Sequence, residues 1–541
     1  MEAEKDDNQL HEESPVNTKN LDGALSDDHS SKDASPSSLE ATGLLSLPWE
    51  MVTHIASHLP AQCVITVLPK VCHALSNVGK DNTAWQIRAR RLTGSRANFP
   101  VGPKEDFDWP TACLEMEQLI AFWTDQAHIV AKQSEDQVNE RKRQDEEQGA
   151  ALPEGGEVEG VEGVGVAGQE VAYGVDEGLE VALEGANEEM PENQLEEAAA
   201  LMNEERNLGQ EDDLNHQENI DPRLLGNERL LESETKPARS PSPSPALECL
   251  TLPSDHIAQI NSVLLVGGEG KFCATGSRDW NVQLWDLEAG PSGALLHTLG
   301  AQGHFSSHKG WVWCLASQGP LLASGGFDST VRLWDLPSGG GERGTIKADA
   351  PVLCLSFQDN ILLAGTFDRK VTMYDPRVAE PLVKSLHLHG NAVMCLAADD
   401  RYIISGSKDC TVAVYDCRAG KGLKKIRLKT YPLSMSYSGN EVWAGDNKGM
   451  LHAFSMQAGT LQTLSQFDVG HTAMVTGIHR SPGSLYTCSA DRTVKVHIPC
   501  SPPRTLCTLQ QQTGVNGLSV EAGVLAVASG ETCIEVWRPR K

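Results

Sequence analysis

The 541-residue sequence lacks the features of a membrane-spanning, secreted or disulfide-linked protein. No uninterrupted apolar run approaches the roughly 20 residues that a membrane helix requires, and the N-terminus lacks the charged-then-apolar pattern of a signal peptide. The 14 cysteines include no CxxC pair, and in a chain of this length they do not predict a disulfide framework. We therefore expect a protein of a reducing compartment, the cytoplasm or the nucleus, with no membrane partner.

The sequence also has few basic residues, and its formal net charge is -29. The imbalance is confined to two stretches, because residues 1–43 contain 11 acidic and 3 basic side chains and residues 131–245 contain 30 and 9. This balance argues against nonspecific binding to nucleic acid or an anionic membrane, since both require clustered Lys and Arg. Both stretches are polar and poor in periodic apolar residues, so we predict that they are disordered.

Three signatures of catalysis are missing as well. The sequence has no Gly-rich phosphate loop, no nucleophile motif and no cluster of metal ligands. We therefore expect a protein that is not an enzyme and that has no cofactor and no bound metal.

A short phrase recurs throughout the C-terminal half, for example as TGSRDWNVQLWD and SGGFDSTVRLWD. Two of its positions, a turn and a strand position six residues later, recur together at steps of 39 to 49 residues. The turn position is occupied by Asp279, Asp328, Asp368, Asp409, Lys448, Asp491 and Glu531, and the strand position by Trp285, Trp334, Tyr374, Tyr415, Phe454, His497 and Trp537. Each unit predicts strands joined by a tight polar turn, and units that cannot bury both faces alone must stack around an axis.

These units resemble WD repeats, and Trp285-Asp286 and Trp334-Asp335 keep the Trp-Asp pair itself. The resemblance implies an all-β seven-bladed propeller over residues 247–541. It also implies a buried network of His, Ser or Thr, Asp and an aromatic residue in each regular blade. Four blades match that network: His256, Thr275, Asp279 and Trp285; His308, Ser324, Asp328 and Trp334; His389, Ser405, Asp409 and Tyr415; His471, Thr487, Asp491 and His497. We interpret these sets as structural, because an active site needs one set beside a pocket and not several copies.

The last repeat ends at Trp537, which leaves no sequence for a fourth strand in the seventh blade. The β-like segment at residues 248–252 precedes the first repeat. We predict that it pairs as the outer strand of blade seven and closes the ring.

Residues 44–90 have helical apolar spacing at Met51, Val52, Ile55 and Leu59, and two prolines break the region into short helices. The order Leu-Pro-x-Glu, Ile, Leu, Val-Cys and a closing Trp resembles an F-box. The resemblance implies a contact with a Skp-type adaptor, and through it with cullin and RING subunits. The residues implied to face the adaptor are Leu47, Pro48, Ile55, Leu59, Leu68, Val71, Cys72 and Trp85.

Residues 91–130 form a predicted helical extension, with an apolar stripe at Cys113, Met116, Leu119, Ile120 and Trp123. We expect this helix to pack under the F-box as a rigid strut, and the acidic linker over residues 131–246 to separate it from the propeller. The F-box, the extension and the repeats together resemble the F-box/WD repeat-containing proteins. The family implies a substrate receptor of a ubiquitin ligase; a scaffold whose helical module does not bind the adaptor is the alternative.

The target surface is predicted from the loops that precede the turn positions and the first strand of each unit. The candidate residues are Arg278, Trp311, Trp313, Phe327, Leu353, Phe367, Met394 and Lys408. Aromatic anchors outnumber basic groups in this set, which favours a protein target held mainly by apolar contacts. Packing within the blades is the alternative role for these aromatic residues.

Overall fold

The computed structural model describes residues 44–149, 246–290, 293–300, 307–457, 459–530 and 532–540. The predicted disordered segment at residues 1–43, and most of the predicted linker, lie outside the described residues. The chain divides into two compact units, residues 1–49 and residues 50–541. Within the described residues, no helix is long and apolar enough to cross a membrane.

Six α-helices precede the strands. They are α1 (Trp49–Ser57), α2 (Ala61–Thr66), α3 (Leu68–Val71), α4 (His73–Val78), α5 (Asn82–Thr93) and α6 (Trp109–Gly149). Pro60 stands directly before α2, and Pro69 occupies the first turn of α3, which explains why these helices are short. The Asp81 carboxylate accepts a hydrogen bond from the Thr83 amide at 2.8 Å and so caps the N-terminus of α5.

Helix α6 continues well beyond the predicted end of the helical extension at residue 130. The predicted boundary at residue 130 between the helical extension and the linker therefore falls inside α6, which ends at Gly149. Residues 111–148 contain neither proline nor glycine, and opposite charges recur four residues apart, as at Lys142 and Glu146. That spacing supports a helix even without an apolar face.

The strands form seven sheets of four strands each, numbered β1–β28 along the chain. The first strand, β1 (Leu247–Leu252), belongs to the last sheet. Blade one contains β2 (Ile260–Val266), β3 (Phe272–Ser277), β4 (Val282–Asp286) and β5 (Ala294–Leu299); blade two contains β6 (Val312–Gln318), β7 (Leu321–Gly326), β8 (Thr330–Asp335) and β9 (Gly341–Lys347); blade three contains β10 (Val352–Gln358), β11 (Ile361–Thr366), β12 (Val371–Tyr374) and β13 (Leu382–Leu386).

Blade four contains β14 (Val393–Ala398), β15 (Tyr402–Ser407), β16 (Thr411–Asp416) and β17 (Lys421–Arg427); blade five contains β18 (Pro432–Ser438), β19 (Glu441–Asp446), β20 (Met450–Gln457) and β21 (Thr460–Asp468); blade six contains β22 (Val475–Arg480), β23 (Leu485–Ser489), β24 (Thr493–Ile498) and β25 (Arg504–Gln510). Blade seven contains β26 (Val515–Glu521), β27 (Val524–Ser529), β28 (Ile534–Pro539) and β1. The all-β seven-bladed propeller predicted from the repeats is confirmed.

The ring closes as the sequence predicts. Strand β1 pairs antiparallel with β28, from Leu247 opposite Pro539 to Leu252 opposite Ile534. Leu250 and Leu252 are buried in one apolar cluster with core residues of blades one and seven. The N-terminal strand of the propeller thus supplies the outer edge of its last blade.

The tight turn between the second and third strands has a shared backbone conformation in six blades. The residue after the turn position has a positive φ in six blades: Trp280 (72°), Ser329 (57°), Arg369 (74°), Cys410 (61°), Gly449 (85°) and Arg492 (70°). The turn aspartate stabilises this conformation, since the Asp279 carboxylate accepts a hydrogen bond from the Asn281 amide at 2.9 Å. This is why aspartate recurs at the turn position.

The helices are packed against the propeller and are not separated from it. A single apolar cluster runs from α1 through α6 into blades six and seven. Trp123 of α6 is buried there, and its indole N–H donates to the Tyr486 hydroxyl at 3.3 Å. The predicted strut is therefore present, but the expectation that the linker keeps the propeller apart from the helices is wrong.

Polar contacts also hold the N-terminal part of α6, on one side to the propeller and on the other to α5. The Glu115 carboxylate accepts hydrogen bonds from the Ser481 hydroxyl at 2.6 Å and the Gly483 amide at 2.7 Å, in the β22–β23 turn. On the other side, buried Arg88 of α5 donates to Glu117 at 2.5 Å and to the Ala56 carbonyl at 2.7 Å. The helices and blade six therefore form one body.

Candidate binding surfaces

The repeated His, Ser/Thr, Asp and Trp sets form closed hydrogen-bonded networks. In blade one, His256 lies 2.8 Å from Asp279 and 3.0 Å from Thr275, and Trp285 donates to Thr275 at 3.3 Å. Blade two repeats the arrangement with His308, Asp328, Ser324 and Trp334. Each histidine is buried between its partners, so the networks hold turns in place as the sequence predicts.

Blades four and six carry altered networks. His389 lies 2.7 Å from Ser405, but the Tyr415 hydroxyl accepts a hydrogen bond from Lys384 at 2.7 Å. In blade six His497 takes the aromatic position, 3.1 Å from Thr487 and 3.0 Å from Thr505. Burial lowers the pKa of His389 to about 4 and that of His497 to about 3, so both rings are neutral at pH 7.

Blade five, where the sequence shows no regular network, has one of its own. Buried Asp446 lies 2.8 Å from His452 and accepts a hydrogen bond from the Thr430 hydroxyl at 2.5 Å. These partners lower the pKa of the Asp446 carboxyl against the opposing effect of burial. The repeat pattern did not predict this network, because His452 lies on the third strand of the blade. The signal in the sequence is the spacing of six residues between Asp446 and His452.

The helical module exposes apolar side chains on α1 and around α3. Ile55 of α1 is 39% exposed and Val71 of α3 is 62% exposed. Leu47 and Pro48 are exposed too, while Leu59, Leu68 and Cys72 are half-buried. Further exposed apolar residues, which the family pattern did not single out, are Leu44, Trp49, Met51, Ile65 and Val67.

Trp85 departs from the predicted adaptor set. It is only 1% exposed, and its indole N–H donates to the Gly79 carbonyl at 2.9 Å. The Arg88 guanidinium lies over its ring, 5.3 Å from the centroid. The prediction that Trp85 faces the adaptor is therefore wrong, because the ring holds α4 and α5 together from inside.

The predicted target residues converge on one aromatic cluster. Trp311, Trp313 and Phe367 are half-buried around Phe327, whose ring centroid is 5.6 Å from that of Trp311 and 5.3 Å from that of Trp313. Arg278 lies over the Trp311 ring at 4.8 Å, and its Nε donates to the Asn261 side chain at 3.2 Å. Desolvation lowers the pKa of Arg278. Predicted target residues from blades one, two and three therefore lie next to one another in the structure.

Three members of the predicted target set are too buried to meet a partner directly. Phe327, Leu353 and Met394 are packed inside the cluster with Ala392. They support the half-exposed aromatics, so their assignment as contact residues is wrong. Lys408 adjoins the cluster, since its amide N–H donates to the Ala392 carbonyl at 3.0 Å, and its ammonium lies 5.8 Å from the Tyr431 ring centroid.

A central cavity of about 260 Å³ opens beside this cluster. It is lined by the innermost strand of every blade, and Trp313, Leu353 and Met394 contribute to its wall. Cys314, Cys354 and Cys395 occupy equivalent positions on three of these strands. Burial raises the pKa of Cys395 to about 12, which fits the role of small packed residues.

Comparison with known proteins places these features in a family. The model "WD domain, G-beta repeat" matches residues 247–286, 296–335, 380–416 and 460–497. F-box/WD repeat-containing protein 9 from Bos taurus is 38% identical over 92% of this chain and 82% of its own length. The Homo sapiens protein of the same name is 35% identical over 93% of this chain and 84% of its own length.

Solved propellers match at lower identity. The WD40 β-propeller domain of Doa1 is 20% identical, with a TM-score of 0.46 over 54% of this chain and 96% of its own. The structure of U3-55K is 17% identical, with a TM-score of 0.48 over 55% of this chain and 98% of its own.

Proposed function

Because the chain belongs to the F-box/WD repeat-containing protein 9 family, we propose that it is the substrate-recognition subunit of a cullin–RING ubiquitin ligase. In this role it performs no chemistry. The helical module binds a Skp-type adaptor, the propeller binds a protein target, and the bridge raises the target concentration near the ubiquitin-charged enzyme. We place this activity in the cytoplasm or the nucleus.

The observation that carries the adaptor half of the proposal is the exposure of Ile55, Val67 and Val71. Short helices that keep aliphatic side chains in solvent leave an apolar surface for a partner. A module serving only to pack on the propeller needs no such surface, because its packing is supplied by α6 and the buried face of α5. This difference favours the ligase over the scaffold with no adaptor.

The test is capture of a purified Skp-type adaptor by the full chain. Ile55→Asp combined with Val71→Asp should abolish capture, because each change places a carboxylate in an apolar interface. Val378→Asp is a matched control, since Val378 is a similarly exposed valine, 52% exposed, on blade three. Capture by the double variant equal to that of the control would favour the scaffold.

The target half rests on the half-exposed aromatics Trp311, Trp313 and Phe367. Aromatic anchors in a partly buried patch often contribute about 2 kcal/mol or more on truncation. We propose a target held mainly by an apolar or aromatic element on blades two and three, with Arg278 flanking it. A phosphorylated target would need several converging arginines, whereas this cluster contains Arg278 alone among the predicted residues.

Salt and phosphatase separate these two modes of recognition. A captured target should bind with weak salt dependence, should survive phosphatase treatment, and should lose more affinity with Trp311→Ala than with Arg278→Ala. Loss of binding after phosphatase treatment, or a larger effect of Arg278→Ala, would contradict the assignment of this surface while leaving the adaptor result intact.

A further inference from the structure

One of the seven outer strands is strongly basic. Strand β17 of blade four contains Lys421, Lys424, Lys425 and Arg427 and no acidic residue. The outer strands of the other blades have at most two basic residues each, and the one with two, β9, also contains Glu342. The seven strands have the same place in the fold, so the shared architecture does not explain the charge of β17.

Most of this charge is not used within the propeller. Lys425 is paired, since its ammonium lies 3.2 Å from the Asp409 carboxylate and donates to the Leu388 carbonyl at 2.9 Å. Lys421, Lys424 and Arg427 are exposed, as are the flanking Arg418 and Lys429. In the part of the chain that the structure describes, these five side chains form no ion pair.

The backbone of β17 is also open on one side. The strand is the last in its sheet, and no other described strand pairs with its outer edge. Such an edge offers a row of N–H and C=O groups to an added strand. Leu423, 37% exposed, adds an apolar contact in the middle of the basic residues.

The sequence contains one segment with matching charge and pattern. Residues 144–205 include 19 acidic side chains and no Lys, Arg or His. Within them, residues 179–184 have the sequence LEVALE. An extended backbone would place Leu179, Val181 and Leu183 on one face and Glu180 and Glu184 on the other. This segment lies outside the described residues.

Chain length allows the contact, because the 29 residues between Gly149 and Leu179 span up to about 100 Å when extended. A segment tethered to the same molecule also meets its binding site at an effective concentration of roughly millimolar. We propose that residues 179–184 dock along the open edge of β17, with their carboxylates toward Lys421 and Lys424, which the register shift in this strand places on one face. Blade four thereby binds the acidic stretch of its own chain, and the opposite charges of the two segments neutralise each other.

The test is zero-length carboxyl-to-amine crosslinking of the full chain at low ionic strength, followed by peptide mass spectrometry. Lys421, Lys424 and Lys429 should crosslink to Glu180 and Glu184 several-fold more than Lys347 does. Lys347 is an exposed lysine at the end of β9, the equivalent strand of blade two. The yield should fall several-fold at high salt, because exposed charges are screened.

A mixture of isotope-labelled and unlabelled chains distinguishes contacts within one chain from contacts between chains. Crosslinks that join the two isotopes would overturn the proposal in favour of association between copies. Equal yields from Lys421, Lys424 and Lys347 would overturn it in favour of lysines that merely protect an edge strand from aggregation. Both outcomes come from the unsubstituted protein, so neither depends on a variant that must fold.

A charge-reversal variant supplies an independent readout. Lys421→Glu with Lys424→Glu should remove protection of residues 179–184 against a protease that cleaves after glutamate, while Lys347→Glu should leave it unchanged. Unchanged protection in the double variant would contradict the docking site.

Discussion

Replacing Trp123 with alanine should loosen the helical module from the propeller. Trp123 is 2% exposed and lies between two aromatic rings of the propeller, with centroids 6.1 Å from both Tyr486 and Trp537. Its indole N–H also donates to the Tyr486 hydroxyl. The substitution therefore removes a buried aromatic contact that joins α6 to blades six and seven.

The expected loss of stability has two parts. Truncating a buried tryptophan to alanine costs about 3–5 kcal/mol, because transfer free energy is lost and a cavity remains. Leaving the buried Tyr486 hydroxyl without this hydrogen bond adds about 1–3 kcal/mol. Trp123→Phe keeps a ring in the cavity and removes the N–H, so it should cost much less than the alanine variant.

Thermal unfolding and limited proteolysis would measure these effects. The alanine variant should unfold several degrees lower than the unsubstituted chain and should release fragments cut between α5 and α6 at temperatures where the unsubstituted chain is resistant. If both variants had the same melting temperature as the unsubstituted chain, the packing of α6 on the propeller would not contribute to stability, and the single-body description would be wrong.

Three further predictions follow from buried groups. Arg88→Met should destabilise the helices by about 3–5 kcal/mol, because Glu117 and the Ala56 carbonyl lose a buried cationic partner. Chemical unfolding of the helical module would measure this, and an unchanged midpoint would contradict it. Leu252→Asp should lower the melting temperature of the propeller, because Leu252 is 1% exposed where β1 pairs with β28. Leu296→Asp, on the exposed outer strand of blade one, should have little effect. Equal melting temperatures of the two variants would refute the closure. Because burial lowers the folded-state pKa of His497 to about 3, below its unfolded value of about 6.5, its stabilising contribution is complete above pH 6.5 and is lost as the pH falls toward 3. The free energy of unfolding, measured with urea between pH 7 and pH 5, should therefore fall less steeply with pH in His497→Phe, by up to about 1.4 kcal/mol per pH unit. An identical pH dependence in the two proteins would refute this.

The propeller could be predicted because its information is local and repeated. A polar turn residue, aspartate in five of the seven units, and a ring-bearing residue six positions later are set by one hairpin, so seven copies reinforce one interpretation. The closing strand was predictable for a related reason. Blade seven lacked a strand, and residues 248–252 were the segment upstream of the repeats with strand character.

The packing between helices and propeller could not be predicted in this way. Trp123 and Tyr486 are separated by 363 positions in the sequence, and no periodicity links them. Trp85 and Phe327 were also predicted to face a partner, but both are buried. A motif states which residue type recurs, but whether a large ring faces a partner or the interior depends on neighbours that only the folded chain supplies.

The contacts of α6 also determine what the long acidic insertion can do. Helix α6 packs against β25 and β24 and contacts β1, so the chain leaves and re-enters the described structure from elements of one packed body. Residues 150–245 therefore join two mutually anchored elements, so they are not a hinge between the helical module and the propeller. The separation of the proposed adaptor and target surfaces therefore depends on how α6 packs against the propeller. Shortening residues 150–245 should consequently leave the distance between the proposed adaptor and target surfaces unchanged, whereas Trp123→Ala should alter it.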